Sequence, residues 1–185
     1  MSTPRVAARA LLVNATELLR RPGTERDIDI QISADTLGLA DARFHADDEI
    51  SVTVHLESLI DGIVVLGSVD VPWHGACRRC LKPLDEHTVS DVDELYQTVV
   101  TNPDAFEIIS DQLDLLPMVR ELALLDAPEA PLCEPDCAGL CPVCGMDLNT
   151  GTCTCEAPVL PSVWDVLDQL KGALPAESES GPDTN

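Results

Sequence analysis

Between residues 50 and 57 the chain alternates strictly, with Ile50, Val52, Val54 and Leu56 set against Ser51, Thr53, His55 and Glu57. A period of two marks a strand with one buried face. After Asp61-Gly62 a second run carries Ile63, Val65, Val69, Val71 and Trp73. An Asp-Gly pair between two such runs is a strong hairpin signal. A two-residue loop there pairs Ile60 with Ile63. It then sets Val54 opposite Val69, Val52 opposite Val71 and Ile50 opposite Trp73, all apolar and on one face. Ile28, Ile30 and Ile32 mark an earlier half-buried strand from Asp27 to Ser33, and a further extended stretch follows from His87 to Val100.

Elsewhere the spacing lengthens. Leu115, Met118, Val119, Leu122 and Leu125 form one stripe at helical period. Asp114 is placed to cap that helix, and Pro117 is tolerated in its first turn. Glu17 to Arg21 is a short helical or extended piece ended by Pro22-Gly23. Ser162 can cap a last short helix that turns Val163, Trp164, Leu167 and Leu170 inward. The Pro-, Ser-, Glu- and Gly-rich tail is expected to be disordered. These elements predict an α+β fold, an antiparallel β-rich core with a few short helices and a small cysteine-rich zinc-binding segment. The expected division is a basic N-terminal arm at 1–26, a β-rich core with its following helix at 27–126, and a cysteine-rich segment at 127–158. A short helix at 159–173 and an acidic tail at 174–185 complete it. With 185 residues, of which 3% are aromatic, the core is sizeable and built of Val, Leu, Ile and Ala.

Charge narrows the partners. Thirty-three acidic residues against 11 basic ones give a net charge of −22. Such a chain repels nucleic acid and anionic lipid at long range and attracts basic partners. The balance is uneven: residues 1–26 hold Arg5, Arg9, Arg20, Arg21 and Arg26 against Glu17 and Glu25, and only six cations follow. Arg9 interrupts the sole apolar run near the start, so no export signal is expected. No later segment approaches the roughly 18 apolar residues of a spanning helix. A cytoplasmic location with no membrane partner is the expectation, and eight cysteines in a reducing compartment point to metal.

Six of those cysteines lie between 133 and 155, in C-E-P-D-C-A-G-L-C-P-V-C-G-M-D-L-N-T-G-T-C-T-C. Cys141-Pro142-Val143-Cys144-Gly145 has the form of a zinc knuckle. Two thiolates three residues apart can share a tetrahedral ion, and the glycine lets the chain turn beneath it. Asn149 to Gly151 is a turn that returns Cys153 and Cys155 toward the knuckle, while Cys133 and Cys137 offer another pair. Spacing leaves two arrangements open. The six can fill one site with two to spare, or join Cys77 and Cys80 in two four-cysteine sites. A disulfide-rich segment and a thiol redox switch are the competing uses. Cys77 and Cys80 also read as a redox pair or as packed thiols. His45, His55, His74 and His87 lie outside the cluster, and no phosphate loop, G-x-S-x-G or dinucleotide fingerprint occurs, so no enzyme is expected.

Four stretches together resemble the YceD family of large ribosomal RNA subunit accumulation proteins. They are E-L-L-R-R-P-G at 17–23, L-E-S-L-I-D-G-I-V-V-L-G at 56–67, G-A-C-R-R-C-L-K-P-L at 75–84 and L-C-E-P-D-C-A-G-L-C-P-V-C-G-M-D-L-N at 132–149. The last has the form of Gram-positive and actinobacterial members, while other members keep the C-x-x-C without it. The resemblance implies a role in the synthesis, processing or stability of 23S ribosomal RNA. An RNA binder normally presents cations, and the candidates are Arg78, Arg79 and Lys82 beside the C-x-x-C with Arg20, Arg21 and Arg26 in the arm. Three readings follow: a factor contacting ribosomal RNA or a pre-ribosomal particle, an acidic chaperone or adaptor for a basic ribosomal protein, and a thiol redox sensor.

Overall fold

The computed structural model describes residues 8–156. After a 3-10 turn (Ala8–Leu11), these form β1 (Leu12–Asn14), α1 (Thr16–Arg20), β2 (Glu25–Ser33), α2 (Ala34–Leu37), β3 (Glu49–Ser58), β4 (Ile63–Ala76), β5 (Pro83–Gln97), β6 (Phe106–Glu107), β7 (Gln112–Asp114) and α3 (Leu116–Asp126). The fold is α+β. The chain divides into one unit up to Gly139 and a second from Leu140. The helix expected at Ser162 and the acidic tail lie outside the described residues.

Strands β2 to β5 form an antiparallel meander, to which β6 adds in parallel. The isoleucines of β2 oppose β3, Ile28 to Val54, Ile30 to Val52 and Ile32 to Ile50. Ile50, Val52, Val54 and Leu56 of β3 are buried, as are Ile63, Val65, Val69, Val71 and Trp73 of β4. Each fully buried aliphatic side chain contributes about 1.5–3 kcal/mol, which is why the alternation dictates the faces.

The hairpin register differs from the expected one by two residues. Pairing ends at Ser58 opposite Ile63, and Leu59 to Gly62 form the loop, closed by the Leu59 N–H donating to the Gly62 carbonyl at 2.8 Å. Val52 therefore opposes Val69, Leu56 opposes Val65, and Val54 opposes Gly67. Trp73 lies opposite Glu86 of β5 instead of Ile50. A slip of two keeps every side chain on its face, so the apolar pattern is equally content with either register. What decides is close packing at two glycines. A Cβ on Gly62 would sit 2.3 Å from the Tyr96 carbonyl oxygen, and one on Gly67 would sit 2.2 Å from that of Thr53. Ile60, free of any pairing, is 94% exposed.

β1 pairs with β7, and Leu11, Val13, Ala15 and Leu18 are buried in the core. Asp114 Oδ1 accepts the Leu116 N–H at 3.0 Å, with Pro117 in the first turn of α3. The inward face of α3 is Leu115, Met118, Val119 and Ala123. Leu125, expected in the stripe, is 71% exposed, because six residues beyond Val119 carries it about 120° round the helix. Arg43 grips Asp41 through two hydrogen bonds and donates to the carbonyls of Leu124 and Ala127 at the end of α3. That places a cation where the helix dipole favours one and ties the loop before β3 to the helix.

Candidate metal centres

The turn between β4 and β5 is Cys77 to Lys82. Cys77 N–H donates to the Lys82 carbonyl at 2.8 Å, and Leu81 N–H donates to the Cys77 carbonyl at 2.9 Å. Leu81 has φ +62, a conformation that costs a side-chain-bearing residue about 1–2 kcal/mol. The second unit repeats this turn. Cys141 N–H donates to the Met146 carbonyl at 2.8 Å, Gly145 N–H donates to the Cys141 carbonyl at 2.9 Å, and Gly145 has φ +72. The Cys77 turn is thus built as a knuckle, with leucine in the position glycine occupies in the other.

Each knuckle meets a second pair of cysteines. Arg78 N–H donates to the Pro131 carbonyl at 2.9 Å and Arg79 Nη1 to the Cys137 carbonyl at 2.8 Å, which draws the 131–137 segment onto the first turn. Gly139 lets that segment pass closely, since a Cβ there would lie 3.0 Å from the Arg79 carbonyl oxygen. In the second unit, Asp147 accepts the N–H groups of Asn149 and Gly151 and turns the chain back. The result is two tetrads: Cys77, Cys80, Cys133 and Cys137, then Cys141, Cys144, Cys153 and Cys155, the four sulfurs of each lying within 4.8 Å of one another. The run from 133 to 155 divides after Cys137, and the isolated Cys77/Cys80 pair completes the first set. None of the eight is in a disulfide.

The donor sets fit a metal. In the first tetrad Cys77 and Cys137 sulfurs are 3.8 Å apart and those of Cys80 and Cys133 3.6 Å. An ion about 2.3 Å from each of four sulfurs sets them about 3.8 Å apart. Burial pushes the Cys77 thiol up, but the N–H groups of Cys133, Cys80 and Arg79 outweigh it and bring it down to about 6. The N–H groups of Cys144 and Val143, with the Cys153 thiol, lower Cys141 to about 6 likewise. Cys133 and Cys155 move the other way. Burial and the neighbouring cysteines push Cys133 up to about 12, and Cys144 first among neighbouring groups does the same for Cys155. Four sulfurs cannot all ionise beside one another without a cation between them. Four cysteines also close the coordination shell, the arrangement of a structural site.

A family model described as Large ribosomal RNA subunit accumulation protein YceD matches residues 65–171, a span that contains all eight cysteines. The chain belongs to the YceD family. An uncharacterized protein of Mycobacterium tuberculosis is 28% identical over 152 residues, covering 78% of this chain and 73% of the relative. Another, of Mycobacterium leprae, is 27% identical over 188 residues, or 97% of this chain and 87% of the relative. A Zea mays protein named Large ribosomal RNA subunit accumulation protein YCED homolog 1, chloroplastic, is 35% identical over 70 residues, which is 37% of this chain and 22% of that protein. No solved structure matches.

The six candidate RNA-contacting cations of this YceD-family chain fall into two places. Arg78, Arg79 and Lys82 are exposed on the first knuckle, and Arg20, Arg21 and Arg26 are exposed around the end of α1 and the start of β2. Gly23 N–H donates to the Ser58 carbonyl, so the second group lies at the β3–β4 loop end of the sheet. The 14 residues of β4 separate it from the knuckle, a length of about 43 Å. No carboxylate lies within ion-pair distance of any of the six among the described residues. Arg79 and Arg26 do hold backbone carbonyls, those of Cys137 and Asn14. No described helix is long and apolar enough to cross a membrane.

Proposed function

We propose that this protein is a non-catalytic factor supporting the accumulation of 23S ribosomal RNA in large-subunit biogenesis, with structural zinc in both cysteine tetrads and RNA contact through the first knuckle. The observation that carries the contact is a tight turn, clamped by a cysteine tetrad, that exposes Arg78, Arg79 and Lys82 with no carboxylate within reach among the described residues. Cations on a rigid turn lose little conformational freedom on meeting phosphate. Arg20, Arg21 and Arg26 form a second patch for a separate stretch of the same RNA. Changing Arg78, Arg79 and Lys82 to Ala should weaken binding to large-subunit RNA, and each lost phosphate contact should lower the log–log salt slope by about 0.7–0.9. An unchanged slope in the triple variant removes the knuckle from the interface.

A second reading, an acidic adaptor for a basic ribosomal protein, is favoured by one cavity. Glu94, Asp104 and Glu121 rim a space of about 380 Å³ over Phe106, Met118, Leu122 and Leu125. Burial, then the charges of Glu121, Asp93 and Asp104, raise the Glu94 carboxyl above its usual range. Crowded carboxylates over an apolar floor suit a lysine or arginine side chain, whose stem is apolar and whose head is charged. Failure of the parent protein to bind ribosomal RNA at low salt, with binding to a basic ribosomal protein that Glu94→Gln and Glu121→Gln weaken, would establish this reading in place of the first.

A further inference from the structure

One cluster of nitrogen and oxygen donors stands apart from the sulfur sites. His74 of β4 lies opposite Asp85 of β5, and its N–H donates to the Arg43 carbonyl at 2.8 Å, which holds the 41–48 loop against the strand. Asp48 is oriented within that loop by the His45 N–H, 2.7 Å from its Oδ2. His74 Nδ1 is 2.7 Å from Asp85 Oδ1, while its Nε2 is 3.0 and 3.1 Å from the two oxygens of Asp48. The His45 ring stacks on that of His74 with centroids 3.8 Å apart, and its Nδ1 is 4.0 Å from Asp48 Oδ1. One donor atom from each of His45, Asp48 and His74 lies within 4.8 Å of the others.

We propose that His45, Asp48 and His74 form a third metal site, for a divalent ion of borderline softness such as zinc or cobalt(II). Imidazole and carboxylate donors suit that class of ion, whereas the all-thiolate tetrads favour softer bonding. Asp85 supplies the decisive detail. A metal-bound imidazole almost always gives its other ring N–H to a carboxylate, which fixes the tautomer and raises the basicity of the ligating nitrogen. Asp85 takes that part at Nδ1 and leaves Nε2 facing Asp48, where the ion sits. The ion replaces the proton that otherwise bridges Nε2 and Asp48, and that proton leaves to solvent. Asp48 and His74 are sheltered, at 12% and 23% side-chain exposure, and His45 at 61% closes over the ion from outside. Three protein ligands leave a coordination position for water, unlike either tetrad.

The test uses the full chain with its sulfur sites loaded with zinc. Cobalt(II) added to this protein should bind as one further equivalent, with the weak visible bands of nitrogen and oxygen coordination and no sulfur-to-metal charge-transfer band. His74→Gln and Asp48→Asn should abolish it, and Asp85→Asn should weaken it by about 10- to 100-fold. His45→Gln should weaken it too, and at that exposed position the substitution leaves the packing of the fold unchanged. Sulfur-bound zinc should remain unchanged in all four variants as the report on folding. No further equivalent at high free cobalt, or one bound as tightly in either histidine variant as in the parent, overturns the site and leaves His74 as an imidazolium shared by two aspartates.

Discussion

At the scale of single residues, two positions with the same backbone carry different side chains. Leu81 and Gly145 both close a knuckle with positive φ, and Leu81 is 64% exposed, so its side chain contributes little packing to offset the strain. Leu81→Gly should stabilise the first unit by about 1 kcal/mol, and Gly145→Leu should weaken metal retention in the second by a similar amount. Space does not limit the latter, since nothing lies within 4 Å of a Cβ built on Gly145. Thermal unfolding and chelator competition read the two changes, and equal stability of parent and Leu81→Gly would show that the turn is unstrained. The same pair explains why one knuckle was legible in the sequence and the other was left open. Gly145 announces a knuckle; with Leu81 in its place the C-x-x-C before it leaves Cys77 and Cys80 open as ligands, a redox pair or packed thiols. His55 supplies a second residue-scale test. The hydrogen bond that the His55 ring N–H donates to Asp27, at 2.7 Å, raises its pKa above 6.5, burial opposes this, and the charges of Asp27, Glu25 and Glu57 add to the rise. A raised folded pKa means the pair stabilises fully below pH 6.5 and loses that contribution as pH climbs through the folded midpoint. An NMR titration of His55 should move down toward the ordinary value in Asp27→Asn; an unmoved midpoint contradicts the assignment.

At the scale of elements, periodicity identified strands and faces but left their register free. The alternation in β3 and β4 is satisfied by any even shift, because burial depends on the face and not on which partner stands opposite. Asp61-Gly62 reads as a two-residue turn, yet Gly62 is needed where the chain passes the Tyr96 carbonyl, and the loop takes four residues. Gly67 tests that account. A methyl group there would meet Thr53 oxygen at 2.2 Å and Val54 Cα at 2.8 Å, both backbone, so no rotamer change relieves it. Gly67→Ala should cost about 3 kcal/mol by denaturant unfolding, and a loss near zero would mean that β3 and β4 are less tightly joined than described. The α3 stripe shows the same limit. Five apolar residues at helical spacing mark a helix, but the stripe is wider than the contact. Leu122 packs only against the edge of the core and Leu125 is exposed, and both line the cavity beside the Glu94 and Glu121 carboxylates. The two-tetrad arrangement stayed one of two open choices for a related reason: six cysteines close in sequence belong to two sites, and one site draws on a pair that β5 and α3 separate from it along the chain.

For the whole molecule, the two units differ in what can hold them together. The first buries some thirty side chains in a continuous core, and a core of that size is stable without metal. In the second, Cys141 is the one buried residue among those described from 140 to 156. A segment with so little apolar burial cannot offset the entropy of ordering its backbone, about 1–2 kcal/mol per residue. Metal binding at a four-cysteine site supplies about 10–16 kcal/mol, which is folding free energy when the site is absent from the unfolded chain. Removing metal should therefore act unequally. Cys141→Ser with Cys144→Ser should remove one metal equivalent and strip amide protection from residues 140–156, leaving β2 to β5 as protected as in the parent. Cys77→Ser with Cys80→Ser should remove the other equivalent and free the turn and the 131–137 segment, while the sheet persists with a lower melting temperature. Metal analysis and hydrogen exchange on both variants read this directly. Loss of both ions in either variant would show that the tetrads are coupled. Lost protection across β2 to β5 in the Cys141/Cys144 variant would show that the sheet depends on the second site, against the argument from burial.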